Sequence, residues 1–391
     1  MIESVFRWYV VVLSWLAFVA LFVLSPAIGS IGSIAAVMLT LLVSPVAFLP
    51  GSWKVLRAQP AMLLFLSIFA SITICFIATQ RTPGDVLFAT NFLGLLLAPV
   101  VYLLASRRAG PQTIALVSGL LVLGTLVGAL TGSYDVFVQH LGRAIGWGQG
   151  GNLMARSVVL IGFLSFSGVF AVSSRWRWLY LLGPALALYT LYLTGTRGVF
   201  IAVPVLGLIL VWALMRELRA SRLWYAAGIA AVFVAIGAVA IVSPRFLALG
   251  SVFEQVALNA SNVADGATSQ RLYMWDAGIH TFIKSPLIGF GWANFTEASL
   301  PYGIYFYHND FLDMAVAAGS IGIICWLGTI AAPILGVLMM PADRFFEPAN
   351  LLRADPQRQP ADLRHHRHDA RLRPADDAAR LLHRNHARRL P

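Results

Sequence analysis

Charged residues are scarce in this sequence. Only 12% of its 391 residues are Asp, Glu, Lys or Arg, about half the share found in soluble globular domains. That leaves too little polar surface to cover a water-soluble globule of this size, and 59% of the chain is hydrophobic. Cysteine is nearly absent. Cys75 and Cys325 both lie inside apolar runs, so neither a disulfide framework nor a CxxC site is expected. No group of His, Cys, Asp and Glu has metal-ligand spacing. Gly146-Trp147-Gly148-Gln149-Gly150-Gly151-Asn152 lacks the Gly-Lys-Ser/Thr ending of a phosphate-binding loop, and Gly289-Phe290-Gly291 lacks the rest of a dinucleotide fingerprint. No cofactor and no metal are therefore expected. The excess of 28 basic over 17 acidic residues gives a net charge of +11. Its placement, in short clusters between apolar runs, fits membrane orientation rather than a nucleic-acid partner.

Long apolar runs, by contrast, are abundant. About 20 apolar residues cross the hydrocarbon core as a helix, and such runs fall near 8–24, 31–49, 61–79, 86–105, 112–130, 154–173, 178–194, 198–215, 223–243 and 313–340. The expectation is an all-α polytopic membrane protein of about ten transmembrane helices. The run from Trp8 is of spanning length, longer than the core of a cleavable signal peptide, and reads as the first retained helix. With the N-terminus in the cytoplasm, Lys54 and Arg57, Arg107 and Arg108, Arg175 and Arg177, and Arg216, Arg219 and Arg222 all fall in cytoplasmic loops, as the positive-inside tendency requires. The outer loops at 25–30 and 79–85 hold no charge and an Arg81/Asp85 pair, respectively. Trp53, Tyr102, Trp176, Trp178, Trp212 and Trp224 sit near span ends, as interface anchors do.

Two segments stand apart. Residues 244–310 form one long periplasmic loop within the transmembrane domain 1–340. Inside it Leu272, Trp275, Ile279 and Phe282 recur at helical spacing. This predicts an amphipathic helix over Ser269 to Ile283, capped by Ser269 and followed by Pro286. The tail 341–391 contains eleven Arg and five His but no Gly, Ser, Thr, Lys, Val or Ile. One reading is a disordered basic cytoplasmic tail. The preferred one is a shift of reading frame near residue 341 that replaces further helices.

Setting the cytoplasmic cations aside leaves Arg143, Arg156, Arg197, Arg245, Arg271, Lys284 and His308 in or beside outer loops, against the positive-inside tendency. Arg197 lies in Thr194-Gly195-Thr196-Arg197-Gly198, a tight link between two apolar runs. A mid-membrane arginine costs about 2.5–3.5 kcal/mol on insertion scales, so one near a helix end should face a wet cavity or an anion. The plain alternative is a snorkelling interface arginine. Arg271 is expected in the first turn of the loop helix, where free backbone N–H groups and a guanidinium fork together suit a phosphate. The alternative is a solvated loop arginine. His308 opens His308-Asn309-Asp310-Phe311-Leu312 and is able to take a proton from a hydroxyl or hydrogen-bond a phosphate oxygen. His140 and His280 have no such context. The glycines after Arg143 read as a flexible hinge into the sixth helix.

Taken in order, Thr194–Gly198, Ser269-Gln270-Arg271-Leu272 through Trp275 to Ser285-Pro286-Leu287-Ile288-Gly289-Phe290-Gly291, and His308–Leu312 before Gly319 resemble the O-antigen ligase and polysaccharide polymerase superfamily of bacterial inner membranes. The resemblance covers roughly residues 140–340. It implies a glycosyltransferase-type enzyme, either a ligase or a polymerase. Such an enzyme moves a glycan from undecaprenyl diphosphate to a glycan or lipid A–core acceptor at the periplasmic face, using no cofactor and no nucleotide sugar. It also implies roles. Arg197 and Arg271 would bind the diphosphate as leaving group, Arg143 would support them, and His308 would orient or deprotonate the acceptor hydroxyl. The family often has an acidic residue where this chain has Ala317, and further C-terminal helices where it has the Arg-rich tail. Two other readings stand beside the transferase, a lipid-linked glycan flippase and an inactive truncated remnant. Mid-membrane ionisable residues and related halves, which favour a transporter, are not evident.

Overall fold

The computed structural model describes residues 2–106, 110–147, 150–217, 266–304 and 307–339, with a few positions between 223 and 237. The chain divides into a unit Met1–Pro341 and a unit Ala342–Pro391, the second of which lies outside the described residues. So do Arg245, Met340 and most of the expected ninth span. Among the described residues every regular element is helical.

Ten helices carry the described architecture. They are α1 (Ile2–Val19), α2 (Ser30–Val43), α3 (Pro60–Thr79), α4 (Leu93–Ser106), α5 (Pro111–Ser133), α6 (Gly151–Leu164), α7 (Leu182–Thr194), α8 (Ala202–Glu217), α9 (Gly266–Lys284) and α10 (Asp310–Leu338). Tighter or wider turns extend several of them. A 3-10 stretch Pro83–Phe92 leads into α4, Arg175–Leu181 leads into α7, and a π-turn Tyr134–Val138 ends α5. Counting these extensions, seven helices among the described residues are long and apolar enough to cross a membrane, with Trp8–Leu24 as a shorter apolar helix. The chain is a multi-pass membrane protein.

The expected span at 178–194 is not one of the seven. Helix α7 itself has 13 residues, fewer than the ~20 a span needs. The seven-residue 3-10 stretch before it rises more per residue, so the two together reach about 33 Å. That stretch also carries Arg175 and Arg177, which lower its apolar character.

Cations mark one end of the bundle. Arg57 lies over Trp53, Arg175 over Trp176, Arg177 over Trp178 and Arg216 over Trp212, at 4.8–5.6 Å from the ring centroids. Each such contact anchors a cation and an amphipathic ring at the same depth. Arg177 also approaches Glu217 at 3.7 Å, joining the start of α7 to the end of α8.

Small residues let the helices meet closely. A Cβ at Gly124 on α5 would overlap the Phe22 carbonyl, in the π-turn Ala20–Leu24 that follows α1. A Cβ at Gly162 on α6 would lie 2.6 Å from Ala187 and 2.8 Å from the Gly183 carbonyl of α7. In lipid, where apolar burial gives little drive, such backbone contact is a main source of association. Gly119 on the same helix α5 meets nothing within 4 Å. Gly124→Leu is therefore expected to reduce membrane accumulation about fivefold or more, and Gly119→Leu to leave it nearly unchanged; quantitative immunoblots of membrane fractions check this.

Candidate functional site

The site is built from the ends of α5, α6, α7 and α10. Its first organiser is Asp135, which sits in the π-turn after α5 and is only 1% exposed. A buried carboxylate needs donors, and Asp135 Oδ2 accepts the backbone N–H groups of Ile145 at 2.9 Å and Gly146 at 2.8 Å. The N–H of Ala144 donates to the Leu193 carbonyl at 3.0 Å. The segment after Arg143 is thus tied to α5 on one side and to the end of α7 on the other. A flexible hinge was expected here. Gly151 instead serves close packing, since a Cβ there would lie 2.8 Å from the Ala144 carbonyl, and Gly146 packs on Met154, while Gly150 has open space around it.

The Thr194–Gly198 link joins the same cluster. Gly195 ends α7 in a left-handed conformation, Thr196 is extended, and Arg197 opens a single helical turn before α8. Thr196 Oγ1 donates to the Gly151 carbonyl at 3.3 Å and lies 3.4 Å from Asn152 Oδ1. The backbone of Arg197 is thereby set beside the start of α6, and its side chain lies outside the described set.

A break in α10 organises the other half. Gly319 has φ 63° and ψ −149° inside an otherwise helical run, a region closed to residues with a Cβ. The helical bonds across the break are replaced by a loop. The N–H groups of Phe290 and Gly291 donate to the Val316 and Ala317 carbonyls at 2.9 and 2.8 Å, and the Ser320 N–H donates to the Pro286 carbonyl at 2.8 Å. The bend is sharp. A Cβ at Gly322 would overlap the Met314 carbonyl, although eight residues of straight helix span about 12 Å. After the bend Ser320–Leu338 runs on as continuous helix. Before it, Leu312 and Met314–Ala318 are buried, and Leu312 and Val316 share a core with Ala277 of α9, Phe295, Ile304 and Tyr307.

This cap is pinned to the end of α3. Arg81 pairs with Glu297, and Asn294 Nδ2 donates to the Thr79 carbonyl at 3.2 Å. Arg81 and Asp85, whose charges offset one another in this loop, take different side-chain partners. Asp85 accepts the N–H groups of Arg81 and Thr82 and the Thr82 hydroxyl as a helix cap, which leaves the Arg81 guanidinium free to reach Glu297.

His308 stands at the start of the buried half of α10. Its backbone is left-handed, with φ 51°, and its side chain is exposed. The flanking residues hold it there. Tyr307 is fully buried with its hydroxyl on Ser299, and Asn309 caps the helix by accepting the Phe311 N–H at 3.1 Å. Asp313 Oδ1 accepts the Tyr307 N–H at 3.3 Å.

The seven misplaced cations now separate. Arg156 on α6 is 3.5 Å from Asp310 Oδ2, a contact that links the Asn152 side of the site to the His308 turn. Lys284 lies over the Tyr302 ring at 5.2 Å, and His280 is 3.7 Å from Asp276. Arg143 and Arg271 are exposed and make no side-chain hydrogen bond or ion pair among the described residues. Helix α9 begins at Gly266, so Ser269 is not its cap and Arg271 is its sixth residue, in the second turn. The free N–H groups of a helix start lie within the first four residues, so Arg271 offers its guanidinium rather than a helix terminus. Among the described residues no group of three or more His, Cys, Asp and Glu is placed to hold a metal ion.

Asp135, Asp310 and Asp313 were not among the expected site residues. Asp135 had a visible signal, since it is the only acidic residue between Val86 and His140, and an isolated carboxylate in an apolar run is rarely idle. Asp310 lies inside the His308 motif and Asp313 directly follows it, three residues apart as helical neighbours are.

A search of the curated proteins finds no match. The family model described as O-antigen ligase matches residues 182–327, from the start of α7 into α10 beyond the bend. Over that stretch this multi-pass membrane protein is similar to the O-antigen ligase family, the family its motifs resemble.

Proposed function

We propose that this protein transfers a glycan from undecaprenyl diphosphate to a saccharide or lipid acceptor at the periplasmic face of a bacterial inner membrane. The observation that carries the reading is the meeting of separate motifs at the bundle end opposite the Arg–Trp contacts. There the Thr196–Gly151 bond ties the Thr194–Gly198 motif to the start of α6, and the Arg156–Asp310 contact reaches from α6 to the His308 motif at the head of α10. The Phe290 and Gly291 N–H groups bind the Ser269–Gly291 motif to that same helix α10. Arg143 and Arg271 remain uncommitted in the same family-matched region or its flank. The cytoplasmic end carries its cations against tryptophan rings, which agrees with an N-terminus inside the cell.

The chemistry follows from charge. As the anomeric carbon separates from the carrier, negative charge develops on the departing diphosphate, and guanidinium donors held in place act on that charge as it forms. Arg197 and Arg271 take this part, with Arg143 in support. His308 orients or deprotonates the acceptor hydroxyl. An in-line attack inverts the anomeric centre.

In cells lacking their own transferase, the full chain is expected to restore surface glycan. His308→Ala is expected to abolish it at normal protein level, with lipid-linked glycan building up on the outer face. Build-up on the inner face would instead identify a flippase, and unchanged surface glycan would remove His308 from the site.

A further inference from the structure

Asp313 has no part in the site as built so far except as an acceptor for the Tyr307 N–H. One oxygen, Oδ1, makes that bond at 3.3 Å. The other has no protein donor among the described residues, although the carboxyl is half-buried. Such a group normally finds a second partner. Among the described residues the charged groups that act on it are Asp310 and His308; the exposed imidazole makes no hydrogen bond to it here and reaches it by turning about its side-chain bonds. Asp310 is committed to Arg156, and a carboxylate paired with a guanidinium accepts hydrogen bonds but donates none. His308 does have one, on whichever ring nitrogen does not face the acceptor. The local backbone keeps the two residues together: the Asp313 N–H donates to the Asn309 carbonyl at 2.9 Å, and the left-handed turn at His308 lies between the anchored Tyr307 and the capping Asn309.

We propose that Asp313 is the positioning residue for His308, receiving one imidazole N–H so that the other ring nitrogen is unprotonated and aimed at the acceptor hydroxyl. The inference rests on the transferase reading. In the step itself the acceptor O–H bond breaks and its proton passes to the free nitrogen of His308. The hydroxyl oxygen forms the bond to the anomeric carbon. The bond from that carbon to the diphosphate oxygen breaks, and its electron pair leaves with the diphosphate. The Asp313 carboxylate stabilises the imidazolium so formed, as a buried acid does wherever it orients a histidine base.

The test is a set of variants of the full chain, in membranes supplied with lipid-linked glycan and acceptor. Asp313→Asn keeps an oxygen for the Tyr307 N–H but presents an amide N–H₂ where the imidazole needs an acceptor. It is expected to lower turnover about tenfold to a hundredfold with KM unchanged. Asp313→Glu is expected to recover part of the loss. Measured against the residual turnover that His308→Ala keeps in these membranes, the double variant Asp313→Asn/His308→Ala is expected to be no slower, because a residue acting through another adds nothing once that other is gone. Wild-type turnover in Asp313→Asn, with His308→Ala slowed, overturns the inference and leaves the transferase reading standing. A further additive loss in the double variant also overturns it, marking Asp313 as merely structural. An unchanged His308→Ala, or a wild-type chain without transfer, overturns both.

Discussion

Alanine at position 319 is expected to detach the His308 half of α10 and destabilise the protein by about 4 kcal/mol or more. Two costs add. The backbone at Gly319, φ 63° and ψ −149°, is a conformation that strains any residue with a Cβ by about 1–3 kcal/mol. The added atom would also overlap the Leu287 carbonyl group and lie 2.6 Å from the Ile288 nitrogen, so the loop Pro286–Gly291 must withdraw. Withdrawal frees the Val316 and Ala317 carbonyls and the Ser320 N–H that it satisfies, at about 1–3 kcal/mol for each buried group left unpaired. Gly303 supplies the control. It has φ 65° with nothing within 4 Å of its Cβ position, so Gly303→Ala adds backbone strain of only about 1–2 kcal/mol. In detergent, Gly319→Ala should lower the unfolding midpoint by more than about 5 °C and Gly303→Ala by clearly less. Equal midpoints for the two would mean that the loop does not depend on the break.

The second large effect concerns the arginines. Arg197→Ala and Arg271→Ala are each expected to slow transfer about a hundredfold or more, the usual cost of removing a donor from developing charge. Arg271 has the clearer rationale, because it is exposed on α9 and spends its guanidinium on no partner among the described residues. Lysine should restore little at either position, since a compact ammonium does not reproduce the two-oxygen fork. Arg156 gives a contrasting expectation. It is already matched with Asp310 across two exposed side chains, and surface pairs contribute at most about 1 kcal/mol, so Arg156→Ala should slow transfer less than tenfold. Steady-state assays on membranes adjusted to equal protein levels separate these cases. An Arg156 variant as impaired as Arg271→Ala would shift the anion seat toward α6.

Much of the membrane architecture was legible in the sequence because a span is a local property. A run of apolar residues declares itself whatever it packs against, and six of the runs read from hydropathy correspond closely to helices of spanning length. The seventh, at 310–338, is a span whose first nine residues are bent away at Gly319, which hydropathy does not register. The motif residues were legible for the same local reason. What joins them was not. Arg156 meets Asp310 from 154 positions away, and Arg81 meets Glu297 across 216. In the second case Asp85, four residues from Arg81, caps a turn with its oxygens and leaves the guanidinium to a distant partner. The cap of α9 failed for a related reason. Ser269 has the chemistry of an N-cap, yet three further residues wind into the helix ahead of it. Gly146 and Gly151 look flexible when read alone, yet Asp135 binds the backbone of the first and Thr196 that of the second.

The central claim is that the cations and His308 at one end of the bundle form a site for breaking a glycan–diphosphate bond. Its most direct test is the fate of the carrier. Liposomes holding the purified full chain, labelled undecaprenyl diphosphate–glycan and an acceptor are predicted to yield free carrier diphosphate and extended acceptor in equal amounts, with both formed at least about a hundredfold more slowly by His308→Ala. Glycan that crosses the bilayer still attached to its carrier, or carrier that stays fully loaded in the presence of acceptor, would contradict the account.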